Sequence, residues 1–243
     1  MTSILKRLNW VMAISFAVAL SSCNDSGEKK AEETKAEEIK TEEATPVTTA
    51  TFTPFKVIMV QYPVADFDKW KAAYMTGDSV RKANDITRYL IGQGLDDPKK
   101  VIVINKIADV QKAKNFSKLP YLKEAMKKSG VTGQPVFSYA DVIRNNDTQI
   151  AQKERVMIAH KVKDFDAWLK VYDSEGEAKR TENGLLDRGL GRSIDDPNMV
   201  YIVFAITDMA KAKARINSPE LKTLMTEAGV EGPRKIIYYK LVD

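Results

Sequence analysis

From about residue 54 onward, short apolar runs alternate with amphipathic stretches, and the whole series occurs twice. Residues 56–64 and 155–162 are rich in Val, Ile and Met without a helical stripe, which predicts strands. Each run is followed by aromatics at i, i+3 and i+7: Phe67, Trp70 and Tyr74 in the first series, Phe165, Trp168 and Tyr172 in the second. That spacing predicts a helix with one apolar face. Asp66 and Asp164 are placed to cap it, with Asp68 and Asp166 near the positive end of the helix dipole. Second strands are expected near 86–93 and 185–192, then an Asp-Asp-Pro turn, then the β-branched runs Val101–Ile104 and Val200–Phe204 as third strands. Asp109 and Asp208 open a further helix. A short helix follows, capped in the second series by Ser218 with Pro219 at its first position, and stopped by Gly130 or Gly229. Val136–Ala140 and Ile236–Leu241 read as closing strands.

The two series align. Asp66-Phe67-Asp68-Lys69-Trp70 matches Asp164-Phe165-Asp166-Ala167-Trp168 at an offset of 98, and Asp96-Asp97-Pro98 matches Asp195-Asp196-Pro197 at 99. One residue is therefore inserted in the second copy between these landmarks. The chain is a tandem duplication, with one unit over 54–143, a polar linker over 144–154 and a second unit over 155–243. Each unit has the β-α-β-β-α-β order of a ferredoxin-like α+β fold. A sheet covered by helices on one face alone would alternate apolar and polar residues along its strands. Here the first strands are apolar on both faces, as in Val57, Ile58, Met59 and Val60, so the second face of each sheet must also be buried. The sister unit is the economical partner, which predicts two units packed sheet to sheet with helices outside.

The N-terminal segment follows different rules. Lys6 and Arg7 precede an eleven-residue apolar run, Trp10–Leu20, too short to span a bilayer but suited to export. Leu20-Ser21-Ser22-Cys23 resembles a bacterial lipobox, which implies a lipoprotein signal peptide over 1–22 and a lipid on Cys23 as the membrane partner. Residues 23–53, rich in Glu, Lys and Thr, read as a disordered charged tether. The expected location is the cell envelope, periplasmic or surface-exposed, with the outer membrane preferred. Cys23 is the only cysteine, which excludes disulfides, thiolate metal sites and a cysteine nucleophile from the domain. The chain carries a net charge of +5, and over residues 54–243 its Lys and Arg residues are scattered singly along helices, without the basic run or aromatic interleaving of a nucleic-acid surface.

The pattern V-x-D-F-D-x-W, then D-D-P, a helix with Ala-Lys-Ala-Lys, S-P-E-L and G-V-x-G-P resembles the dimeric α/β-barrel superfamily. Within it the match is to small proteins similar to antibiotic biosynthesis monooxygenases, often called cyclase-like. The first unit departs from the pattern, with Leu119-Pro120-Tyr121-Leu122 for S-P-E-L. The resemblance implies that two units close one barrel, here within one chain as a monomeric pseudo-dimer. It does not choose a reaction, because the superfamily includes cofactor-free oxygenases, haem-degrading enzymes, cyclases and proteins without known activity.

Candidate chemistry comes from positions where the copies differ. His160, the only histidine, aligns with Tyr62 and shares a strand face with Val156, Ile158 and Val162. It is a candidate acid, base or ligand holder, or else a buried structural histidine. Arg188 aligns with Tyr89 and would suit an anionic or enol ligand if it faces the barrel. His160, Arg188, Tyr62 and Tyr89 are thus the candidate binding residues, with a site expected on the second unit. A single histidine cannot build a histidine-rich metal centre, and no cofactor motif is present. Two functions remain open. One is a non-enzymatic lipoprotein that binds a small, mostly apolar or aromatic ligand. The other is a cofactor-independent monooxygenase or cyclase acting through His160.

Overall fold

The computed structural model describes residues 52–242; the segments read as signal peptide, lipidation site and nearly all of the tether lie outside them. In the first unit the elements are β1 (Phe55–Pro63), α1 (Phe67–Thr76), α2 (Asp78–Ala83), β2 (Ile86–Gly94), β3 (Lys100–Ile107), α3 (Val110–Ser117), α4 (Pro120–Lys128) and β4 (Val136–Asn145). The second unit repeats them as β5 (Glu154–Val162), α5 (Phe165–Glu175), α6 (Glu177–Glu182), β6 (Leu185–Ser193), β7 (Met199–Ile206), α7 (Met209–Ile216), α8 (Pro219–Glu227) and β8 (Val230–Leu241). The short helices α2 and α6 were not expected, and the closing strands run longer than their apolar cores suggest.

The strands form one closed antiparallel barrel in the order β1-β3-β2-β8-β5-β7-β6-β4. Each unit contributes four adjacent strands, and the units join at two seams. β4 pairs with β6 from Ala140↔Ser193 to Asn145↔Gly189, and β2 pairs with β8 from Gly92↔Leu241 to Gly94↔Tyr239. The sheets thus face one another as expected, and their edges are also hydrogen-bonded. Among the described residues every strand has a neighbour on both sides, although the β2–β8 seam is only three residue pairs long.

Strand alternation sorts the side chains into three cores. On β1, Ile58, Val60 and Tyr62 face the first unit's helices, while Val57 and Met59 face the barrel axis. On β5, Val156, Ile158 and Val162 face the second unit's helices, while Met157 faces the axis. This is why both faces of these strands are apolar. The helix starts follow the capping residues: Asp66 and Asp164 accept from the backbone N–H groups of Lys69 and Ala167, and Asp109 and Asp208 do the same three residues ahead. Trp70 and Trp168 are each 1% exposed and stack on Tyr74 and Tyr172 at 5.2 and 5.3 Å. The residue inserted in the second copy lies at the end of α5: α1 ends at Thr76 before Gly77, α5 at Glu175 before Gly176. Glu175 therefore stands where the first unit has Thr76.

Candidate functional site

The four residues singled out in the sequence do not converge. His160 shares the face of Val156 and Ile158, so its ring points at the second unit's helices and not into the barrel. It is 1% exposed, packs edge-on against Trp168 at 5.5 Å, and neither ring nitrogen has a hydrogen-bond partner. Burial, with a smaller contribution from Arg234, pushes its pKa down to about 4, so the imidazole is neutral. Tyr62 occupies the matching place on Trp70, at 5.8 Å. Tyr89 and Arg188 sit elsewhere, at the end of the barrel crossed by the β4–β5 connector. The Tyr89 hydroxyl donates to Asp147 Oδ1 at 2.8 Å and lies 3.2 Å from Asn145 Oδ1; Arg188 Nη2 donates to the Thr148 carbonyl at 2.8 Å.

Tyr62 instead borders a cavity of about 310 Å³ between the first unit's sheet and its helices. Ile58, Val60, Val103, Phe116, Leu122 and Met126 supply apolar walls. Three polar groups enter it. The Tyr62 phenol is raised far above its ordinary pKa, mainly by burial, and remains a proton donor. Asn105 is 5% exposed and accepts at Oδ1 from the Tyr74 hydroxyl at 2.8 Å. Arg81 is 8% exposed, lies 3.8 Å over the Tyr74 ring, and donates to the Tyr74 carbonyl at 2.9 Å and to Asp78 at 3.2 Å. Its Nε has no partner.

The duplication provides an internal control. The corresponding space in the second unit is about 40 Å³. It is closed in part by larger side chains, Phe204 where the first unit has Asn105 and Leu224 where it has Ala125, while Arg215 stands in place of Phe116. An ion network also seals it. Glu175 bridges Arg215 at 2.6 Å and Arg180 at 3.7 Å, and Arg180 makes a two-point contact with Asp187 at 2.7 and 2.8 Å. The more open cavity therefore lies in the first unit, although His160 and Arg188 pointed to the second. Sequence reasoning passed over Asn105 and Arg81. The signal for Asn105 was available: it interrupts an apolar strand and aligns with Phe204.

No family model matches the chain, and no curated protein matches it. Solved structures do. An anthrone oxidase-like protein aligns with a TM-score of 0.54 and 10% identity, covering 78% of this chain and 92% of the other. A candidate monooxygenase from Fusobacterium nucleatum aligns at 0.51 and 15% identity, over 78% and 93%. A candidate chlorite dismutase aligns at 0.50 and 16% identity, over 79% and 96%. At these identities the likeness shows the fold alone, an α+β barrel of two ferredoxin-like units, and not a reaction.

Proposed function

We propose that this chain is a ligand-binding protein whose first-unit cavity takes a small, mostly apolar or aromatic molecule with a neutral polar end. The observation that carries this reading is the contrast between about 310 and 40 Å³ at equivalent places in one chain. An open hollow with apolar walls leaves apolar surface in water unless something covers it, and the second unit shows which side chains occupy the equivalent space. The walls suit an aromatic body. Tyr62 and Asn105 can donate to or accept from a carbonyl or hydroxyl, in keeping with pockets that carry few polar groups on apolar walls. Nothing in the cavity's geometry favours catalysis over binding: the lining phenols Tyr62 and Tyr74 are both held protonated, chiefly by burial, and the histidine lies under the other unit's helices.

The test imports the second unit's solution. Asn105→Phe with Ala125→Leu is expected to fill the cavity, raising the melting temperature and weakening binding of the fluorophore N-phenyl-1-naphthylamine at least tenfold. Unchanged fluorophore affinity in a folded double variant would refute the reading.

The proposal includes a membrane anchor at Cys23, supported by the lipobox-like Leu20-Ser21-Ser22-Cys23 behind an export-type apolar run. Radiolabelled palmitate is expected on the wild-type chain and not on Cys23→Ala, which should also stay unprocessed. Equal labelling of both would remove the anchor from the picture. Two or more acyl chains, at about 0.8 kcal/mol per buried CH₂, would hold the domain at the membrane stably.

A further inference from the structure

The barrel axis holds a second asymmetry, independent of the cavity under the helices. At the end crossed by the β4–β5 connector lies a cavity of about 440 Å³, walled by Met59, Leu90, Ile104, Val142, Met157 and Val203. Two pseudo-equivalent cross-strand pairs border it. In the first unit the pair is Val57↔Ala140, both apolar. In the second it is Arg155↔Tyr239.

The Tyr239 hydroxyl is left without a partner by the protein, and the Arg155 guanidinium without a counter-ion. Tyr239 is 0% exposed and its hydroxyl has no hydrogen-bond partner. Arg155 is 6% exposed; its Nη1 donates to the carbonyls of Gln152 at 2.7 Å and Glu154 at 2.9 Å. Among the described residues no carboxylate pairs with it, and the charged or ionisable groups that act on it are Tyr239 and a second cation, Arg188. Asp147 also faces this cavity, but it is engaged by the Tyr89 hydroxyl at 2.8 Å. A buried cation without a counter-ion is costly, and natural interiors avoid it unless the partner arrives from outside. The phenol is built in as well. Its ring lies against Gly92, where even a Cβ would stand 2.3 Å from Tyr239 Cδ2, so β2 gives up a side chain to admit it.

We infer that the barrel interior is a second binding site, for a monocarboxylate with a short apolar body. Its carboxylate sits on Arg155 and the Tyr239 hydroxyl, and its body occupies the space that Ala140 leaves opposite Tyr239. The guanidinium supplies charge-assisted donors, the phenol a further one, and the aliphatic walls accept the body. This site differs from the helix-covered cavity in place and in ligand charge, so the two readings stand or fall separately.

Methionine methyls distinguish the sites, since Met59 and Met157 line the barrel cavity and Met126 lines the other. The experiment titrates the full chain, ¹³C-methyl-labelled at methionine, with octanoate below its micelle concentration and with octanamide. Octanoate is expected to shift Met59 and Met157 saturably, and octanamide to bind at least tenfold more weakly. Arg155→Met should weaken octanoate at least tenfold, and Tyr239→Phe several-fold, while Arg81→Met leaves it unchanged. Tyr239→Phe removes a single oxygen, so it decides the matter if Arg155→Met does not fold. Equal affinity for acid and amide, shifts confined to Met126, or wild-type octanoate affinity in Tyr239→Phe would each overturn the inference.

Discussion

Replacing Glu175 by glutamine is expected to lower the unfolding free energy by about 3–5 kcal/mol, the range for removing one partner from a buried ion pair. Among the described residues Glu175 is the only carboxylate that reaches both Arg180 and Arg215, and each arginine is 5% exposed. Arg180 keeps its two-point contact with Asp187. Arg215 keeps only Glu220, whose side chain is 70% exposed, and its Nε already lacks a partner. The loss therefore falls mainly on Arg215, whose buried charge Glu175 compensates in the native state. Urea denaturation at pH 7 measures it, and a loss below about 1 kcal/mol would show that the network is hydrated. Glu175→Thr combined with Arg215→Phe brings in the pair that the first unit carries as Thr76 and Phe116. That double variant should recover most of the loss, because it removes the stranded cation together with its partner.

The duplication, the capping aspartates and the double-faced apolar strands were all legible in the sequence, and together they lead to the barrel. Each is a local rule read twice: Asp66 and Asp164 cap because a short carboxylate reaches a free backbone N–H three residues ahead. The helices α2 and α6 were not legible, since six residues such as Asp78–Ala83 span under two turns and display no period. The face of His160 was half legible. Parity groups it with Val156 and Ile158, but when both faces of a strand are apolar, parity alone does not say which face lies under helices and which faces the axis. The cavities were the least legible. A hole is set by what neighbouring elements fail to fill, and Ala125 in a helix looks ordinary until Leu224 is seen closing the equivalent space. The polar groups of the barrel interior were hidden for a related reason. Arg155 and Tyr239 are 84 residues apart in the chain and become neighbours only through the β5–β8 register.

The stability of the domain is expected to fall on acidification below about pH 6.5, with His160 as the cause. In the unfolded chain the imidazole takes a proton near its ordinary value of 6.5, while in the native barrel burial holds it down to about 4. Between these values the unfolded state binds a proton that the native state refuses. The contribution of His160 is therefore intact above pH 6.5 and is lost progressively as pH falls toward 4. At about 1.4 kcal/mol per pH unit, the loss between pH 7 and pH 5 comes to roughly 2 kcal/mol. Asp173, held by Arg144, and Asp196, held by Lys161, are shifted downward and so titrate below this window. Because the chain has a single histidine, the effect can be isolated. Urea midpoints at pH 7, 6 and 5 should fall for the wild type, and the decline should be largely absent in His160→Met, which keeps an apolar side chain of similar size against Trp168. The lone imidazole Cε1 proton should show no titration from pH 8 down to about 5. A resonance that titrates near 6.5 would mean that water reaches the ring. It would return His160 to the set of groups able to exchange protons with a ligand, and it would remove the acid sensitivity at the same time.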